Sequence, residues 1–153
     1  MKTGISLRTK KGNEQDIKAA IAEYVTASKL AIDAGFDGVE LHAANGYLID
    51  QFLNPISNQR TDNYGGNTTN RLRFLQEVTE AVIAVIGKDR VGVRISPYGV
   101  FNELGDFDDL QATFVGVAEL LSQLDVAYLH LVDHSSMGTP EVPAALKTVL
   151  RAA

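Results

Sequence analysis

AGFDGVELHAANGY, residues 34–47, packs a helix stop, a strand and a group of hydrogen-bonding side chains into one short stretch. Gly35 stands where a helix C-terminus takes a residue at positive φ. FDGVELH, residues 36–42, reads as a short strand, with Gly38, Glu40 and His42 on one face and Val39 and Leu41 on the other. Its end is polar, since His42, Asn45 and Tyr47 fall close together. Two readings compete there. In one, His42 and Asn45 donate to a single oxygen, and Tyr47, with a reference pKa of about 10, gives a proton to the adjacent carbon. In the other, His42 satisfies a core carbonyl, Asn45-Gly46 is a turn and Tyr47 packs. Spacing alone leaves both open.

Upstream, Ile17, Ile21, Tyr24, Val25, Ser28 and Ile32 form a stripe that predicts a helix over 14–34. Downstream, Leu75, Val78, Val82, Val85 and Ile86 predict a second helix over 70–86, closed by Gly87. RVGVRIS, 90–96, is the next strand, with Gly92, Arg94 and Ser96 sharing a face. Leu110, Phe114, Val117, Leu121 and Leu124 predict a third helix over 109–123, and Asp108 and Asp109 suit its positive end. DVAYLHLV, 125–132, is the third strand, and a last helix starts near Pro140 or Glu141. Strict alternation calls for parallel strands joined by helical crossovers. The candidates are an open doubly wound sheet and part of a (β/α)₈ barrel, and neither G-x-G-x-x-G nor G-x-x-x-x-G-K-[ST] is present. About 26 residues, dense in Asn, Gly, Arg and Asp, separate His42 from the second helix, far beyond an ordinary loop, whereas helix-to-strand connections are tight. Elaboration after the strands places the site at their C-terminal ends in either architecture. Residues 1–13 carry basic but no acidic side chains and read as a mobile leader ahead of a domain over 14–153.

A chain of 153 residues suits one domain. Its net charge of −5 does not favour nucleic acid as a partner. The absence of cysteine excludes disulfides, thiolate metal sites and a Cys nucleophile. No run approaches the ~20 apolar residues of a membrane span, and no apolar segment of a signal peptide follows Met1. The expectation is a cytoplasmic protein whose Asn67-Thr68-Thr69 sequon is accidental. Glu40 and His42 lack a third ligand at useful spacing, so no metal is expected. Asp133, His134 and Ser135 are consecutive, which does not suit a hydrolase relay. Arg94 on a strand face needs a partner: either Glu40 across the interior or an anionic ligand. His130, between Leu129 and Leu131, is expected to be buried and satisfied. Phe101 belongs either to the core or to a pocket wall above the second strand.

Three segments carry a family resemblance: GFDGVELHAANGYLIDQFLNPISNQRTDNYGG, NRLRFLQEV and VGVRISPYGVFN. From about Ile17 onward the chain resembles the old yellow enzymes, FMN-dependent ene-reductases. The resemblance implies a TIM barrel with FMN at the C-terminal strand ends, reduced by NAD(P)H, and hydride transfer to the β-carbon of an enone or enal. It casts His42 and Asn45 as carbonyl donors, Tyr47 as proton source, Arg94 as a flavin contact and Phe101 as part of the substrate pocket. It also implies that these 153 residues correspond to barrel strands four to six, without the loops that hold the FMN phosphate. The isolated chain is therefore expected to bind little FMN and turn over slowly, and its open edges are expected to self-associate or be complemented by further barrel segments. Two other readings remain: a non-catalytic, self-associating scaffold, and a flavin-independent hydrolase or lyase using Glu40, His42 and Tyr47.

Overall fold

The computed structural model describes residues 12–152, so most of the expected leader lies outside the described residues. Asn13 belongs to the first helix rather than to a leader. Its side chain accepts from the backbone of Gln15 and Asp16, and Asp16 returns a bond to the Asn13 N–H, which completes a capping box. Helix α1 (Glu14–Asp33) ends as its glycine predicted. Gly35 sits at φ 95°, with bonds from Gly35 to Ile32 and from Phe36 to Ala31, the 5→2 and 6→1 pair of a Schellman motif.

Three parallel strands follow, β1 (Val39–Ala43), β2 (Val91–Ile95) and β3 (Tyr128–Leu131), side by side in chain order. Helix α3 (Thr68–Ile86) crosses from β1 to β2, and α4 (Leu110–Gln123) from β2 to β3. Period-two alternation gives the sheet two unlike faces. Leu41, Ala43, Val91, Val93 and Ile95 are buried with Leu75, Val78 and Val82 of α3 and Phe114, Val117 and Leu121 of α4. The other face carries Glu40, His42, Arg94, Tyr128 and His130, all of them at least partly exposed. The register sets His42 beside Arg94, and Arg94 beside His130. Gly92 leaves room on that face for the Tyr128 ring, which would lie 2.2 Å from a Cβ there. An apolar face under helices, a polar face without them and no reversal of strand order describe an arc of a (β/α)₈ barrel, not a doubly wound sheet.

Two boundaries differ from expectation. The long connection after β1 is not all loop, since it contains α2 (Leu48–Leu53). Six residues are too few to show a helical period, yet Ile49 and Leu53 are buried by it. The last helix, α5 (Ala144–Ala152), begins later than Pro140 or Glu141. Pro143 disfavours helical backbone at Val142, so the helix can start only beyond it.

Candidate active site

The polar end of β1 is a turn held from several sides. Asn45 adopts φ 58° and Gly46 φ 70°, conformations that Asn tolerates and Gly takes freely. Every backbone group this turn presents to its neighbours finds a partner. Ser96 Oγ accepts from the Asn45 N–H at 2.8 Å, and Asp50 Oδ2 accepts from the Gly46 N–H at 2.9 Å. Asn102 Nδ2 donates to the Asn45 carbonyl at 2.7 Å, and Gln51 Nε2 to the Gly46 carbonyl at 2.6 Å. A Cβ on Gly46 would stand 2.4 Å from the Phe101 carbonyl oxygen, so the loop after β2 presses directly on the turn.

The side chains are spent differently. Among the described residues, no hydrogen bond engages the His42 ring, Asn45 Nδ2 or the Tyr47 hydroxyl. The His42 and Tyr47 rings lie 5.2 Å apart. Burial and then the Arg94 charge hold His42 below its ordinary pKa, against a smaller opposing pull from Glu40, so the ring is neutral at neutral pH. Tyr47 is the N-cap residue of α2 yet caps nothing, and it is 56% exposed. A Tyr where Ser, Asp or Asn is preferred breaks a local rule, and such breaks concentrate at functional positions.

The expected pairing of Glu40 with Arg94 does not occur. Glu40 Oε2 lies 2.9 Å from His130 Nδ1, across two strands. His130 is therefore satisfied, as expected, but half-exposed instead of buried. Among the described residues, Arg94 Nε is buried without a hydrogen-bond partner. Phe101 lies beside this turn, its ring meeting that of His134 edge-on at 4.8 Å. Asp133, His134 and Ser135 form no relay: Asp133 binds Lys147 at 2.7 Å and accepts from the Ser135 N–H. His134 turns instead to Asn45, its Nε2 lying 2.8 Å from Oδ1.

Asp50 was invisible as a site residue in the sequence. It is 5% exposed beneath the turn, and burial lifts its carboxyl to about 7 against the lowering effect of the Gly46 N–H. A folded-state pKa above the unfolded 3.8 means that folding favours the protonated form. That contribution is complete below about pH 4 and is lost as pH rises through about 7, a change of order 4 kcal/mol. Asp50→Asn keeps an acceptor for Gly46 and cannot ionise. Urea unfolding at pH 5 and pH 8 should show the wild type losing stability relative to this variant at the higher pH.

A barrel arc with unspent donors at the C-terminal end of a strand defines a class: (β/α)₈ proteins that bind and act on a ligand at that rim. Comparison with known proteins narrows it. A family model described as NADH:flavin oxidoreductase / NADH oxidase family matches residues 3–149, and the chain belongs to that family. Enoate reductase 1 of Kluyveromyces lactis is 50% identical over 127 residues, covering 78% of this chain and 32% of that protein. The protein named "Probable inactive dehydrogenase easA", of Claviceps fusiformis, is 47% identical over 122 residues, with coverages of 79% and 32%. The solved structure of morphinone reductase superposes with a TM-score of 0.86 at 38% identity, over 92% of this chain and 37% of that one. The chain thus spans about a third of the length of the curated relatives it matches. The resemblance to old yellow enzymes and the barrel fold it implied are both borne out.

Proposed function

We propose that the protein bearing this chain reduces the C=C bond of α,β-unsaturated carbonyl compounds, with FMN as resident cofactor and NAD(P)H as reductant. Similarity alone does not carry the reading, because three comparably similar relatives are named "Probable inactive dehydrogenase easA". What carries it is the set of unspent donors at the end of β1, left free while the Asn45 and Gly46 backbone groups are all paired. The His42 ring and Asn45 Nδ2 both donate to the substrate carbonyl oxygen and stabilise the negative charge that develops there. Tyr47 holds a proton at its hydroxyl and delivers it to the α-carbon. Phe101 forms an apolar wall beside the carbonyl site.

The residues present fit FMN on one specific observation. Arg94 keeps a buried Nε–H without a partner on the polar face of the sheet, one strand from His42. A cationic donor left unpaired in a buried place suits the oxygen- and nitrogen-rich edge of a flavin pyrimidine ring. FMN, when bound, supplies the hydride that reaches the β-carbon. The engagement of Glu40 by His130 weighs against a hydrolase or lyase built on Glu40. The exposed polar face and the outer edges of β1 and β3 are to be covered by further parallel strands of the barrel.

The 153 residues by themselves are expected to hold FMN weakly, since Arg94 is the one flavin contact the resemblance assigns to them. Titrating the purified chain with FMN and washing it should leave far less than one flavin per chain by visible absorbance. Near-stoichiometric yellow colour would overturn that expectation. Enone consumption that requires both FMN and NAD(P)H supports the reaction, whereas consumption that survives complete flavin removal contradicts it.

A further inference from the structure

Of the two carbonyl donors, Asn45 has an ambiguity that its backbone cannot settle. Its side-chain amide can offer the site either a nitrogen that donates or an oxygen that repels a carbonyl. Asn45 Oδ1 is taken by His134 Nε2 at 2.8 Å, which leaves Nδ2 for a ligand. His134 comes from the turn after β3, 89 residues away in the chain. The same ring meets Phe101 edge-on at 4.8 Å. The residue after Phe101, Asn102, donates to the Asn45 carbonyl at 2.7 Å. The loops of all three strands are thereby joined in a ring that closes on Asn45. The charged neighbours do not compete for His134, since Asp133 is held by Lys147 and Lys147 also binds Glu141.

We propose that His134 is a positioning residue: by donating from Nε2 to Asn45 Oδ1 it turns the Asn45 NH₂ toward the substrate carbonyl. The inference rests on the donor role of Asn45 proposed above. Only an Nε2–H form of His134 can do this. The neutral tautomer protonated on Nδ1 presents an acceptor at Nε2, draws the NH₂ to itself and leaves Oδ1 facing the substrate.

Long-range ¹H–¹⁵N spectra of the labelled 153-residue chain decide the orientation, whether or not the chain turns over. Neutral His134 should carry its proton on Nε2, and a proton on Nδ1 overturns the proposal without any variant. His134→Phe should shift the Asn45 side-chain NH₂ signals, and His134→Gln, which can still donate, should restore them. Unmoved signals in the Phe variant also overturn it. In the FMN-loaded protein, His134→Phe should lower kcat/KM for a cyclic enone by about tenfold, the scale of one lost hydrogen bond. Flavin reduction by NAD(P)H should be unchanged, and the Gln variant should recover most of the loss. Equal losses in both half-reactions would reduce His134 to a purely structural residue. If the flavin-loaded protein that bears this chain consumes no enone in any form, the proposed reaction fails, and the spectra still answer for His134.

Discussion

In the proposed reaction, replacing Tyr47 by Phe in the flavin-loaded protein that bears this chain is expected to slow alkene reduction by about 10²–10⁴-fold, the usual worth of a positioned general acid. Reduction of the flavin by NAD(P)H should be nearly unaffected, because protonation of the substrate α-carbon belongs only to the second half-reaction. Stopped-flow measurement of the two half-reactions separates them. The fold should not register the change. Tyr47 is 56% exposed, its hydroxyl binds nothing among the described residues, and it makes no cap bond to α2. Removal of such a hydroxyl lies within about 0.5 kcal/mol of neutral, so the two proteins should unfold at the same denaturant concentration. Equal slowing of both half-reactions would remove Tyr47 from the proton-donor role.

The neighbours of Tyr47 show what kind of information a sequence carries. The strands and the helices α1, α3 and α4 were legible because their apolar positions repeat with fixed periods, and Gly35 marked one helix end by chemistry that only its φ allows. The proximity of His42, Asn45 and Tyr47 was legible because they are close in the chain. Contacts that depend on strand register were not. Pairing Glu40 with Arg94 assumed that charges on one face meet, whereas the sheet brings His130 to Glu40 and leaves Arg94 Nε alone. His134 stands beside Asp133 and Ser135 in the chain, but its partner lies 89 residues away. Asp50 looked like one more polar loop residue, because α2 is too short to announce itself by periodicity. The chemistry-bearing residue types were visible. Their partners depended on a topology that spacing does not encode.

Arg71 gives the largest expected effect on stability, and it too reads from sequence as an ordinary helix residue. It is 3% exposed at the start of α3. Its Nε donates to the Leu53 carbonyl at 2.9 Å and Nη1 to the Gly66 carbonyl at 2.7 Å. Its Nη2 reaches Asp109 at 2.6 Å and Thr113 Oγ1 at 2.9 Å. One guanidinium therefore joins the end of α2, the long connection, α3 and the start of α4. Phe107 lies beneath it, 5.8 Å from Cζ to the ring centroid. The hydrogen bond from Arg71 is the main reason the Asp109 carboxyl is held below its ordinary pKa. Arg71→Leu should cost about 3 kcal/mol, the lower end for breaking a buried charged cluster. The lower end applies because Asp109 is 43% exposed and water can solvate its freed charge. The two carbonyls and Thr113 lose their partner in the interior, where the penalty is full. Urea unfolding followed by circular dichroism should show the midpoint falling by about 1–2 M. Arg71→Lys should recover less than half, since an ammonium keeps the charge but not the planar fork. Asp109→Asn should cost under about 1 kcal/mol if the carbonyls dominate. A loss in Asp109→Asn equal to that in Arg71→Leu would instead make the ion pair the source. Because Leu53 ends the helix that Tyr47 caps, the same variant should also loosen Tyr47, and protease cleavage within residues 54–67 should accelerate before global unfolding does.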